Sequence, residues 1–154
     1  MRRSGTGAPS TSVPAVHPDV AREAARWLRY AREDLASAQA LAASPDAPPR
    51  HAAWLAQQAA EKAIKAVLVA TQTPFPFVHD LARLRALVPD GWRVRTVEAD
   101  LALLTEFAVE ARYPDDLPDV TRDEAGEGIA AAEVVLASVG LDLQPRLDDI
   151  VGRP

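Results

Sequence analysis

The side chains that could carry chemistry in this chain lie in three short segments. The first is a polar stripe on one helical face, the second is a histidine followed by an aspartate, and the third is an arginine followed by a tyrosine. The planar fork of arginine suits a phosphate group, and imidazole can transfer a proton. These residue types therefore indicate contact with a phosphate. The segments are Gln58, Glu61, Lys62 and Lys65; His79 and Asp80; and Arg112 and Tyr113.

The first two segments also have a structural interpretation. Glu61 and Lys65 have the i, i+4 spacing of an ordinary ion pair on a solvated helix face, which is the favoured interpretation of the stripe. His79 or Asp80 can cap a short helix, and capping alone explains both residue types. The ion pair and the helix cap are therefore structural alternatives to phosphate binding at these two segments.

The third segment is open to the same choice. Arg112 precedes a Tyr-Pro turn, where an arginine binds an anion or satisfies the last carbonyls of a helix. In the structural interpretation, Arg112 complements the helix dipole and pairs with Asp115 or Asp116, while Tyr113 packs under the turn.

Two further groups of charged residues are weaker candidates. Arginines on the first predicted helix form a basic strip interrupted by glutamates, which favours a solvated face over a phosphate site. Aspartates near residue 119 could attract a divalent cation, but no glycine-turn calcium loop accompanies them, so a polar loop is favoured. No metal or cofactor is predicted, because zinc spacing and a phosphate-cradling glycine loop are both missing. The groups are Arg22, Arg26 and Arg29; and Asp115, Asp116, Asp119 and Asp123.

Composition sets the class of protein. Of the 154 residues, 48% are hydrophobic but only 5% aromatic, and alanine dominates, which favours packed helices over a sheet. The net charge of −5 provides no general attraction for nucleic acid, so any RNA contact must be local. No apolar run is long enough to cross a bilayer and no secretory signal opens the chain, so a cytoplasmic location is expected.

The elements that position these residues are predicted to be helices in an all-α, up-and-down bundle of four long helices and one short helix. Apolar residues recur at helical spacing, and prolines and glycines separate the segments. A capping box at Thr121–Glu124 starts the last helix, and Gly140 is expected to end it. The predicted helices run from Pro18 to Ser44, from Arg50 to Thr71, from His79 or Asp80 to Val88, from Thr96 to before Pro114, and from Thr121 to Gly140.

The domain organisation follows from this pattern. Residues 1–18 are expected to be a flexible tail, 19–140 the bundle, and 141–154 a C-terminal tail. Apolar residues outside the inward face, such as Leu103 and Phe107, predict a homodimer.

Three motifs carry a resemblance to a known family. Gln57 to Ala66 reads Q-Q-A-A-E-K-A-I-K-A, His79 to Leu81 reads H-D-L, and Arg112 to Pro114 reads R-Y-P. Their order and spacing resemble the HEPN domain over roughly residues 19 to 140. The resemblance implies a small helical protein, in which the uniform Q-x-A-E-K-A-x-K sequence indicates a role beyond a solvated surface.

Many HEPN proteins are metal-independent endoribonucleases, in which an arginine is followed after four to six residues by a histidine. This chain has three histidines, and none follows an arginine at that spacing. Arg112 occupies the expected place of the family arginine, but no histidine follows it. The Arg-x4-6-His motif is therefore absent, and the ribonuclease activity is not carried over. The histidines are His17, His51 and His79.

Three hypotheses follow. The first is a non-catalytic module that binds a nucleotide or RNA, dimerises, and partners a minimal nucleotidyltransferase in a toxin–antitoxin-like system, with Arg112, Tyr113, His79 and Lys62 at the ligand site. The second is a ribonuclease with a divergent active site, in which Tyr113 or His79 assists Arg112. The third is an interaction protein with no nucleotide. The missing motif favours the first or the third.

Overall fold

The computed structural model describes residues 16–110 and 118–152, and this part of the chain contains five α-helices and no strand. A short 3₁₀ helix at Arg93–Arg95 precedes the fourth helix. The predicted all-α bundle is therefore confirmed. The helices are α1 at Pro18–Ala43, α2 at Pro49–Ala70, α3 at Leu81–Ala86, α4 at Leu101–Glu110 and α5 at Arg122–Val151.

Helix α2 is the central element, against which α1, α3, α4 and α5 all pack. Most of its residues are buried, and its alanines let the neighbouring helices approach closely. Its inward face includes Ala53, Ala60, Ile64, Val67 and Leu68, which are all buried. The polar residues of the same helix are therefore surrounded by other helices rather than by solvent.

Local signals determine where several helices begin. Pro18 occupies the first turn of α1, and the Nδ1 atom of His17 accepts a hydrogen bond from the Asp19 N–H at 3.2 Å. The Oδ1 atom of Asp80 accepts from the Arg83 N–H at 3.1 Å and caps α3. Thr121 and Glu124 form the predicted capping box of α5, in which each side chain accepts from the backbone N–H of the other residue.

Two predicted helix boundaries are wrong. The fourth helix begins at Leu101 rather than near Thr96. The 3₁₀ helix ends at Arg95, with Thr96 as its C-cap, and the Asp100 Oδ1 atom accepts from the Leu103 N–H at 3.0 Å. The fifth helix continues past Gly140 to Val151. A glycine inside a helix lowers stability by roughly 1 kcal/mol relative to alanine. The burial of Leu143 and Leu147, which follow Gly140 in the same helix, outweighs this cost.

Helices α4 and α5 meet at a close approach between a glycine and an aromatic ring. Phe107 is only 2% exposed, and a Cβ atom placed on Gly128 would lie 2.5 Å from the Phe107 Cε2 atom. Phe107 is therefore a core residue, which contradicts its prediction as part of a dimer surface. Leu103 is partly buried against the same core.

Candidate functional site

Three polar residues of α2 are buried inside the bundle. Gln57, Glu61 and Lys65 follow one another at four-residue spacing, so they lie on the same face of the helix. As whole residues they are 0%, 5% and 7% exposed. Polar groups are rarely buried to this extent without hydrogen-bond partners, and charged groups rarely without an ion pair.

The Glu61 carboxylate is the centre of a hydrogen-bonded network. Its Oε1 atom accepts from the Lys65 ammonium at 2.6 Å, and its Oε2 atom accepts from the Gln57 amide at 2.7 Å. The Nδ1 atom of His79, from the loop before α3, lies 3.0 Å from the same Oε2 atom. We refer to Gln57, Glu61, Lys65 and His79 as the Glu61 network.

Aromatic rings surround the ammonium of Lys65. Its Nζ atom lies 5.9 Å from the ring centroid of Trp27 on α1 and 5.5 Å from that of Phe75 in the loop after α2. The two rings meet edge to face at 6.5 Å. The face of an aromatic ring is electronegative and attracts a cation, and this attraction is stronger where little water reaches the cation. The Lys65 ammonium thus contacts aromatic faces as well as the Glu61 carboxylate.

The network also sets the ionisation of Glu61. Burial raises the pKa of the Glu61 carboxyl, but hydrogen bonds from Lys65, His79 and Gln57, together with the charge of Lys65, outweigh that effect and lower the pKa overall. Glu61 is therefore ionised at neutral pH. Because an ionised carboxylate has no proton to donate, the Nδ1 atom of His79 must be the donor in their hydrogen bond.

His79 carries the network to the protein surface. Its side chain is 46% exposed, whereas that of Glu61 is 6% exposed. A carboxylate that accepts from Nδ1 fixes the orientation of the imidazole ring and its tautomer, as in many sites where histidine acts on a ligand. The site is therefore a positioned imidazole above a buried ion pair.

The predicted site residues have different positions in the fold. Lys62 forms an ion pair with Asp34 of α1, in which the two side chains are 25% and 20% exposed. His79 contacts Glu61, while its neighbour Asp80 caps α3. Arg112 and Tyr113 lie outside the described residues.

The solvated face predicted for Glu61 and Lys65 is wrong, and the predicted polar stripe did not include Gln57. The spacing correctly placed the two charges on one side of α2, but Trp27 and Phe75 cover that side. Trp27 and Phe75 come from other parts of the chain, so the periodicity of α2 could not reveal them. The one sequence signal for burial of this face was the uniform Q-x-A-E-K-A-x-K sequence of the family that the chain resembles.

The other charged groups behave as surface features. Arg22, Arg26 and Arg29 of α1 are exposed and pair with acidic residues of the same helix. Across residues 16–110 and 118–152, no three histidine or acidic side chains come together in a way that could hold a metal ion. No described helix has both the length and the apolar character needed to span a membrane.

Comparisons with known proteins identify the family of this chain. The model of the HEPN domain matches residues 24–142. The chain belongs to the HEPN family. It is also similar to a solved protein, TT1696 from Thermus thermophilus, with 30% sequence identity, a TM-score of 0.65, and coverage of 77% of this chain and 97% of that one. A comparison with curated proteins gave no significant match.

The part of the chain matched by the HEPN model contains the whole Glu61 network. The match begins in α1 at residue 24 and ends in α5 at residue 142. Trp27 and Phe75, which surround Lys65, lie within it as well. The network is thus built entirely from the HEPN domain.

Proposed function

We propose that this HEPN protein is a non-catalytic module that binds a nucleotide or an RNA phosphate. The observation that carries the proposal is the half-exposed imidazole of His79, which the buried Glu61 carboxylate holds in place at 3.0 Å. An imidazole fixed in this way loses less side-chain entropy when it binds a ligand. Because Nδ1 donates to Glu61, the ring attracts a phosphate oxygen in its doubly protonated form, in which Nε2 also carries a proton.

The balance of charge below His79 supports an anionic ligand. Glu61 alone would repel a phosphate, but the Lys65 ammonium at 2.6 Å neutralises the carboxylate. The pair has no net charge, so its repulsion of an approaching anion is small. In a protein with a net charge of −5, such local neutralisation removes one source of repulsion for a phosphate at this site.

The proposal gives different roles to the other predicted ligand residues. Arg112 is assigned the planar guanidinium fork that suits a phosphate, and Tyr113 is assigned to the same ligand site. The Lys62 ammonium is committed to Asp34, so it would have to exchange that partner for the ligand. We therefore rank Lys62 below Arg112 and His79 in the proposed site.

Calorimetric titration with nucleotides and a short RNA tests this proposal. Arg112→Ala should weaken binding by roughly 1 to 3 kcal/mol, the scale of a charge-assisted hydrogen bond. His79→Gln should also weaken it. The matched control is His51→Gln, since His51 is an exposed histidine near the other end of α2 and should not affect binding. Equal affinities in wild type and Arg112→Ala would exclude Arg112, and the absence of binding to any protein would favour a pure interaction module.

A second candidate function is a metal-independent endoribonuclease with a divergent active site around Arg112. The observation that favours it is the Glu61–His79 hydrogen bond, because a carboxylate commonly orients the histidine in general acid–base catalysis. The missing Arg-x4-6-His motif places this candidate second. Cleavage of RNA by the wild type, together with loss of cleavage in Arg112→Ala and His79→Gln, would reverse the order.

We further propose that the protein acts as a homodimer and partners a separately encoded minimal nucleotidyltransferase. Apolar side chains exposed on α4 and α5 support an interface, namely Val109 at 67%, Leu141 at 65% and Val134 at 41% exposure. Light scattering should give twice the mass of one chain at micromolar concentration, and a strict monomer would remove this claim. A small nucleotidyltransferase gene beside the gene for this chain, whose product co-purifies with it, would support the partner.

A further inference from the structure

A cavity of about 510 Å³ lies at the end of the bundle where α2 terminates. The residues before α1, the end of α2, the turn after α3 and the last part of α5 enclose it. Glu61 is nine residues from Ala70, or about 14 Å along the axis of α2, so the cavity is distinct from the Glu61 network. Its size is within the range of small-molecule sites.

One wall of the cavity carries an arginine stacked on a tryptophan. The Arg146 guanidinium of α5 lies over the Trp92 ring, with its carbon 4.6 Å from the ring centroid. Stacking holds the planar guanidinium in one orientation. Arg146 also donates a hydrogen bond to the Asp142 carbonyl oxygen. The group is therefore positioned before any ligand arrives.

The charge of Arg146 is not neutralised by a nearby carboxylate. The Asp142 carboxylate accepts from both the backbone N–H and the guanidinium of Arg93. Asp90, which also lines the cavity, pairs with Arg95 at 3.3 Å. Within the described residues, no acidic side chain lies at ion-pair distance from Arg146. Its remaining N–H groups are thus available to an anion.

A second donor lines the same cavity. The Nδ1 atom of His17 accepts from the Asp19 N–H at 3.2 Å, so the neutral ring carries its proton on Nε2. The walls also include the apolar groups of Val16, Ala70 and Pro89. A positioned cation and a second donor beside apolar walls suit a ligand with an anionic end and a flat apolar body.

We propose that this cavity binds a small organic anion, in which a flat ring carries a carboxylate or a phosphate and Arg146 holds the charged group. The two anions share the chemistry that a guanidinium fork recognises. Benzoate is the probe for the carboxylate and adenosine 5′-monophosphate is the probe for the phosphate. Benzamide and adenosine, which have the same rings without the charge, are the matched neutral probes.

The test compares two arginine variants by calorimetric titration. Arg146→Gln should weaken binding of the anionic probe roughly ten-fold or more, because a charge-assisted hydrogen bond is lost. Arg29→Gln is the matched control: Arg29 stacks on Tyr30 at 4.9 Å, but it pairs with Glu33 at 3.2 Å on the exposed face of α1. Urea unfolding of both variants checks that each one is folded.

The outcomes separate this cavity from the site proposed at His79. Binding of benzoate or adenosine 5′-monophosphate that is lost in Arg146→Gln, retained in Arg29→Gln and retained in Arg112→Ala supports the cavity. Three results would overturn it: no binding of either anion to the wild type, equal binding of the neutral probes, or affinity unchanged by Arg146→Gln. Loss in Arg112→Ala alone would assign a nucleotide to the His79 site and not to the cavity.

Discussion

Two acid–base pairs with the same helical spacing have opposite environments in this protein. Arg29 and Glu33 of α1 are 3.2 Å apart, and their side chains are 61% and 58% exposed. Glu61 and Lys65 of α2 are 2.6 Å apart, and their side chains are 6% and 9% exposed. Spacing thus determines that a pair can form, but the packing of other elements determines what the pair contributes.

The energetic consequences of the two environments differ. An exposed pair gains little, because water and salt screen it and two long side chains are ordered. A buried pair loses the hydration of both charges, and its attraction repays that loss only with good geometry and further hydrogen bonds. Glu61 has those further bonds from Gln57 and His79. We infer that the pair, through Glu61, also positions His79.

The largest expected effect is that of removing one buried charge. Lys65→Met should lower the free energy of unfolding by about 3 to 5 kcal/mol, because the Glu61 charge stays buried without its main partner. Urea denaturation measures this effect. The double variant Glu61→Leu/Lys65→Met should recover most of the loss, since no uncompensated charge remains. A single variant that loses less than about 1 kcal/mol would show that water reaches Glu61.

A smaller effect is expected from pH. The folded protein lowers the pKa of Glu61, so the carboxylate contributes stability above its unfolded pKa of about 4.3. That contribution is lost as pH falls through the lower, folded value. Unfolding free energies of wild type and Glu61→Gln should therefore converge as pH is lowered from 6 to 3. A constant difference across this range would contradict the lowered pKa.

The smallest effect is expected at the exposed pair. Arg29→Ala or Glu33→Ala should change the free energy of unfolding by no more than about 0.5 kcal/mol. A double-mutant cycle should give a coupling that vanishes in 1 M salt, where the screening length is about 3 Å. The same cycle at Glu61 and Lys65 should keep its coupling in 1 M salt. Equal salt dependence of both couplings would remove the contrast between the pairs.

Much of the fold could be predicted because its signals are local. Prolines open both α1 and α2, Pro45 follows the end of α1, and the capping box of α5 follows from Thr121 and Glu124. The predicted end of α5 at Gly140 is wrong because glycine is only a local stop signal, whereas Leu143 and Leu147 beyond it are buried in the core. Boundaries fail in this way wherever tertiary packing outweighs a weak local preference.

The site could be predicted only in part. The sequence identified His79 and the charged stripe, yet it assigned Glu61 and Lys65 to solvent. Helical periodicity shows which residues share a face but not what covers that face. The covering rings, Trp27 and Phe75, lie in α1 and in the loop after α2, and only the folded bundle brings them to Lys65.

The contact between Phe107 and Gly128 has a consequence for how this family can change through evolution. A methyl group at position 128 would collide with the ring at position 107, and that ring is already confined by the core. Replacement of Gly128 therefore requires either a shift of the ring or a smaller residue in its place. We expect a relative with alanine or a larger residue at position 128 to carry a smaller side chain at position 107. Such paired replacement in related sequences would show that the close approach of α4 and α5 is retained in the family.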